Sequence, residues 1–339
     1  MEIIEFKKVG YDPQIDYIKG ISILFVIMTH SMSRRELSDI LFPFWGDTAV
    51  PLFLLIQVFH YYKKYRFVKM PSVYKLWRRI LMPFLLMIGF MFIVLFIINY
   101  NTTNGHFSPK LYWDMRGPGS YYIFIYLEFA FLTPLLTPVF ERFSTKCLLI
   151  FFIIISQLFE FSTSITHCSD NIYRLLFFRY FFLIYLGHLL ASNGIILKKH
   201  TIYGVILSAI FIYIFNYTNI NLEPFFYTSI INWKNCHWIC YIYIAYFILW
   251  LLKISYNQFC MINRIRSFVV ELGNYSYEIY LFQLFYYATI SLFVNYELSS
   301  IESYLLRKTI YVTISIIICI MPVALLKKTK KLTKRNLKS

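Results

Sequence analysis

The chain has 339 residues, of which 59% are hydrophobic and 21% aromatic against only 15% charged, and its mean hydropathy is +0.58. This composition excludes an ordinary soluble domain and points to an all-α, polytopic integral membrane protein. The formal charge of +16 could suit nucleic acid, but the basic residues lie in short clusters between apolar runs. There they read as topology signals, and nucleic-acid binding is set aside.

The apolar runs predict ten spans. Span 1 covers about 15–31, behind a short lead carrying Lys7 and Lys8. Asp16 and Lys19 interrupt its start and no small-residue cleavage site follows, so it is read as a retained helix rather than a signal peptide. Span 2, about 41–61, contains Asp47, Pro51 and Gln57, and a dense basic region from Lys63 to Arg79 follows it. Span 3 is about 80–99; the glycines and prolines from Gly105 to Gly119 rule out a continuous helix after it. Span 4 (about 120–139) carries Glu128 and Pro134, span 5 (about 147–165) Glu160, and span 6 (about 172–192) Arg174, Arg179 and His188. Spans 7 (about 202–217), 8 (about 237–252), 9 (from near Phe268) and 10 (about 309–326) complete the set. The expected organisation is one membrane domain, 1–326, and a basic tail, 327–339.

Orientation follows from Lys and Arg on alternate sides. With the N-terminus inside, the inner segments hold 23 and the outer segments seven, while Lys19, Arg174 and Arg179 lie within spans. That bias predicts both termini inside. No internal repeat is visible, so the inverted-repeat mark of many secondary transporters is missing.

Span 1 carries the most informative residues. Lys19 and His30 are eleven positions apart, about 16 Å along the axis and close to three turns, so they share one face. Charges placed at membrane depth are functional candidates. Asp16 can pair with Lys19 three residues on, either at a site or as a snorkelling anchor. Histidine suits a general base because its ordinary pKa is near neutrality. The six cysteines lack the paired spacing of a zinc site or a disulfide framework; Cys236, His237 and Cys240 lie close together without a second ligand pair, and no metal is expected.

The pattern Asp16, Lys19, Gly20, His30 resembles the opening helix of the acyltransferase 3 family, membrane acyltransferases that modify cell-surface glycans. The family more often has Arg where this chain has Lys19, a change that keeps the charge but not the planar fork. Val50 to Ile56 is similar to the family's second helix, which usually continues Ser-Gly-Phe; here the chain reads Gln57-Val58-Phe59. Arg78-Arg79 with Pro83 resembles the start of the third helix, and Leu272 to Leu281 resembles a late helix start, with Gln283 where His is common.

The resemblance implies transfer of an acyl group, most simply acetyl, from acetyl-CoA or another short acyl-CoA to a hydroxyl of a glycan or lipid-linked sugar at the cell inner (plasma) membrane. His30 is then the general base, with Lys19 and Asp16 beside it in the catalytic set. Arg78 and Arg79 could hold the donor's phosphates in a bidentate way, or only fix topology. Glu128 falls near an acidic stretch of the family's fourth helix, and Tyr277 could position a sugar or simply pack; both are candidate substrate contacts. Expected partners are membrane lipid and the acceptor sugar, with a homo-oligomer allowed. The rival readings are a flippase or transporter of lipid-linked sugar, which predicts related halves, and a polysaccharide polymerase, which needs a large charged outer loop. Asp114 and Arg116 form the one outer cluster of that kind.

Overall fold

A computed structural model describes residues 12–65, 68–102, 118–193, 199–228, 236–255 and 260–336. Helix α1 spans Pro13–Ser31. Its start is set locally: the Asp12 carboxylate accepts from the Gln14 N–H at 3.1 Å, and Pro13 occupies a first-turn position where its missing N–H costs nothing. A capping box of Ser33 and Glu36 starts the short α2 (Arg34–Asp39). Predicted span 2 is two helices, α3 (Phe42–Trp45) and α4 (Ala49–Lys64), broken at 46–48. Span 3 begins earlier than its hydropathy suggests, with α5 (Val73–Leu76), a π-helical turn (Trp77–Leu81) and α6 (Met82–Thr102).

Next come α7 (Tyr122–Arg142) and α8 (Thr145–Ile165). Predicted span 6 is broken into α9 (Asp170–Leu175), a 3-10 turn (Phe177–Tyr180) and α10 (Phe181–Asn193). α11 (Lys199–Tyr217), a 3-10 turn (Trp238–Cys240) and α12 (Tyr241–Ser255) follow. The predicted start of span 9 near Phe268 falls inside an amphipathic helix, α13 (Cys260–Asn274), and the apolar stretch after it is α14 (Ser276–Ala288) and α15 (Ile290–Glu297). The last helix, α16 (Tyr304–Asn336), runs on past 326. All these elements are helical.

α1 is the hub, packing on α4, α12, α13, α14 and α16. Its N-terminal half lies against α13 backbone to backbone. A Cβ on Gly20 would sit 2.0 Å from the Val269 carbonyl oxygen, and one on Gly273 would sit 1.6 Å from that of Asp16. Only hydrogen fits at both positions, which explains the glycine of Lys19-Gly20 and that of Leu272-Gly273-Asn274. α4 runs antiparallel to α1, since Lys63 near its end pairs with Asp12 at 3.6 Å while Trp45 before its start meets Phe25.

Ile15 and Ile18 of α1 belong to one apolar core with α4, α7, α8, α10 and α12. Ile23 and Ile27 belong to a second, with α14 and α16. Outside these cores, large apolar side chains face outward in helical stripes, such as Ile150, Ile154, Leu158, Phe161 and Ile165 on α8. Faces of this kind on many helices are surfaces for lipid. Among the described residues, five segments are long and apolar enough to cross a membrane: Phe42–Lys64, Val73–Ile98, Tyr122–Arg142, Thr145–Ile165 and Tyr304–Leu325. Phe177–Ser192, Ile202–Tyr217 and Trp238–Leu251 are shorter apolar helices.

Candidate active site

The stripe Lys19, Ile23, Val26, His30 on α1 faces the stripe Val50, Phe53, Gln57, His60 on α4 across a cavity of about 380 Å³. The stripes arise from side chains recurring every three or four residues on each helix. Because the helices are antiparallel, His60 lies at the Lys19 end, near Asp12, Asp16 and Lys63. Asp47 lies at the His30 end, where α3 and α4 are interrupted. Further walls come from Ile80, from 119–126, from Cys236 and from the start of α14.

At one end, the His30 ring packs edge-on to Tyr287, centroids 5.7 Å apart. The Tyr287 hydroxyl donates to the Ile27 carbonyl at 2.8 Å and also meets the Ser31 hydroxyl, so the ring beside His30 is tied to α1 itself. Gly119 forms the opposite wall with a φ of +91°; a side chain there would be strained and would reach to 3.8 Å from His30 Nε2. Its carbonyl accepts from the Tyr280 hydroxyl at 2.9 Å, which fixes the loop over the histidine. Asp47 shares this end and feels the Arg34 and Arg179 guanidiniums.

At the other end, Lys19 Nζ contacts the Asp16 carboxylate at 3.1 Å. Asp16 is buried while the lysine side chain remains 29% exposed, so the ammonium can turn towards a ligand. Tyr277 lines this region, its hydroxyl donating to the Ile80 carbonyl. Arg78 and Arg79 are exposed in the π-turn, directly before the lining residue Ile80. They are outside the cavity wall at its margin. π-turns recur at functional positions because they re-aim consecutive side chains.

Glu128 is elsewhere. It is half-buried on α7, accepts from the Phe177 backbone and does not line the cavity. Glu160 and Arg179 lie in a buried cluster that adjoins the cavity at Cys236, a lining residue. Glu160 meets His237 Nδ1 at 3.1 Å and accepts from the Tyr173 hydroxyl and the Tyr227 N–H at 2.9 and 3.2 Å. Arg179 donates through Nε to the Cys236 carbonyl at 3.3 Å and lies over the Tyr173 and Tyr180 rings. His237 is thus engaged by a carboxylate, although it sits between Cys236 and Cys240 in the chain. Lys7, Lys8, Asp114 and Arg116 lie outside the described residues.

Sequence reasoning did not single out His60 or the tyrosines Tyr121, Tyr122 and Tyr126. Asp47 and Gln57 stood out as polar residues in an apolar run, which is a usable signal. His60 gave none of that kind, because a histidine beside a lysine-rich end reads as an interface residue; its place opposite Lys19 depends on the antiparallel register of two helices.

No curated protein and no solved structure matches the chain. A family of acyltransferase domains matches residues 12–326, nearly the whole length, including every stretch that carries the resemblance and the cavity between α1 and α4. The chain therefore belongs to the acyltransferase 3 family.

Proposed function

We propose that this integral membrane acyltransferase moves an acyl group, most simply acetyl, from cytoplasmic acyl-CoA to a hydroxyl of a cell-surface glycan or lipid-linked sugar. The observation that carries this reading is the continuous cavity with Lys19 at one end and His30 at the other. With ten spans at the inner (plasma) membrane, the excess of Lys and Arg on one side supports both termini in the cytoplasm. That orientation places Lys19 on the donor side and His30 towards the acceptor.

In the proposed reaction His30 takes the proton of the acceptor hydroxyl as its oxygen attacks the thioester carbon. The carbon–oxygen bond forms, the carbon–sulfur bond breaks, and the proton passes from His30 to the departing thiolate. Both substrates are held together in this direct route; an acyl-histidine intermediate is the less favoured variant. Asp16 orients Lys19 at the donor end, while Arg78 and Arg79 are placed to hold donor phosphates at the margin. Tyr277 contributes to the wall beside them, whereas Glu128 does not line the cavity and is given no part in this route.

Mass spectrometry of surface glycans from cells with and without the intact gene tests the proposal. Loss of an acyl-sized mass increment is expected, with the polymer itself still made. Unchanged acylation would contradict the reading, and a missing polymer would favour a polymerase.

A further inference from the structure

We infer that His60 is a donor-binding residue: its ring N–H meets a phosphate of acyl-CoA across the cavity from Lys19. This rests on the acyl-CoA reading above.

The period of α4 turns His60 inward. It stands three residues after Gln57 and seven after Phe53, so the three share the face of the helix that lines the cavity. Val58 and Phe59 beside it are buried, whereas His60 is exposed. Its ring lies near that of Phe59, centroids 6.2 Å apart, and among the described residues it has no hydrogen bond to the protein. An imidazole carries an N–H in either charge state, so a donor is left for what occupies the cavity.

The surroundings suit an anion with several oxygens. Lys19, Asp16, Asp12 and Lys63 are the charged groups around the ring. Asp16 holds Lys19 at 3.1 Å and Asp12 holds Lys63 at 3.6 Å, and neither carboxylate takes the imidazole. An ammonium has donors beyond the one a carboxylate engages, so Lys19 can hold its aspartate and a ligand together. Packed helices lie about 8–10 Å apart, and a lysine and a histidine on facing stripes can both reach an anion in that gap. Charge-assisted bonds of this kind are the strong ones.

Dimensions put the phosphates at this end. The arm between the phosphates and the sulfur of coenzyme A is about as long as five extended residues, roughly 17 Å. The Lys19–His30 separation along α1 is about 16 Å. With the sulfur at His30, the phosphates come level with Lys19 and His60. The same separation keeps His60 away from the reacting carbon. The two cavity histidines therefore divide the work, His30 on the acceptor hydroxyl and His60 on the donor.

The experiment uses full-length protein in lipid nanodiscs and two donors: acetyl-CoA and S-acetylpantetheine, which keeps the arm and thioester but has no phosphate. His60→Leu is expected to raise KM for acetyl-CoA about tenfold at unchanged kcat, as for one lost bond to a charged group, and to leave kcat/KM for S-acetylpantetheine at the wild-type value. His60→Ala should behave the same way. KM does not depend on how much of the protein is folded, and the ratio between donors is taken within one variant, so a smaller folded fraction cancels. An unchanged KM for acetyl-CoA in both variants, or an equal loss with both donors, would overturn the inference while leaving acyl-CoA as donor. Absence of transfer from acetyl-CoA by wild type would remove the donor reading and this contact with it.

Discussion

The molecule holds two groups of buried polar side chains that look alike in the sequence and differ in the structure. Around Glu160, on α8, the carboxylate is closed off by His237, Tyr173 and Tyr227, and the Tyr227 hydroxyl in turn donates to Asp170 at 2.9 Å. Between α1 and α4, Lys19, Gln57, His60 and His30 instead open on a shared space. Each group includes a histidine and a carboxylate within the helical bundle, Asp47 in the second case, so rarity alone does not separate them. What separates them is where the remaining valences go. A closed network fixes the fold; an open one has room for a substrate.

Substitutions should divide along the same line. His30→Ala is expected to cut acyl transfer by about 10²–10⁴-fold, the usual contribution of a general base, with the melting temperature unchanged. Transfer at the wild-type rate would remove the histidine from the chemistry. Glu160→Ala should do the reverse, costing roughly 3–5 kcal/mol of stability because His237 and two tyrosines lose their partner. If the protein melts normally but is inactive, the Glu160 cluster belongs to the site and the comparison fails. Replacing Arg78 and Arg79 together with alanine should raise the apparent KM for acyl-CoA about tenfold at constant kcat, as for a lost phosphate contact. An unchanged KM would leave them as topology signals.

The smallest effect expected is at the tether of α2 to α16. Burial by itself raises the Glu36 carboxyl, but hydrogen bonds from Tyr304 and Ser33 and the Lys308 ammonium at 3.6 Å outweigh it and hold the group below its ordinary value. A carboxyl depressed in the folded state stabilises above its unfolded pKa, and that contribution is lost as pH falls through the folded value. The melting difference between wild type and Glu36→Gln should therefore shrink from about pH 6 to about pH 3. A difference that grows on acidification would reverse the assignment.

Much of the fold was legible in the sequence. Span 1 was read from its apolar run and its Asp16, Lys19, Gly20 and His30 pattern, and helices occupy all ten predicted stretches. α13 escaped notice because its polar and apolar residues alternate at helical spacing, so its average hydropathy resembles that of a loop. The break at Leu176 was hidden because its apolar neighbours carry no mark of a bent backbone, whereas Gly46-Asp47-Thr48 was a break signal that span 2 was drawn through; the two breaks bring Asp47 and Arg179 near the cavity's end. In the site, His30 and Lys19 were visible because both stand on one helix. His60, Tyr121 and Tyr122 required knowledge of which helices meet, a long-range fact set by packing such as the fit of Gly20 and Gly273.

The central claim, that transfer occurs in the cavity between Lys19 and His30, is tested most directly by filling it. Val26 lines the cavity midway along α1, whereas Leu86 on α6 faces outward and is 63% exposed. In purified protein in nanodiscs, Val26→Trp should abolish transfer from acetyl-CoA at a preserved melting temperature, while Leu86→Trp should leave the rate as it is. Full activity in a stable Val26→Trp protein would contradict the account.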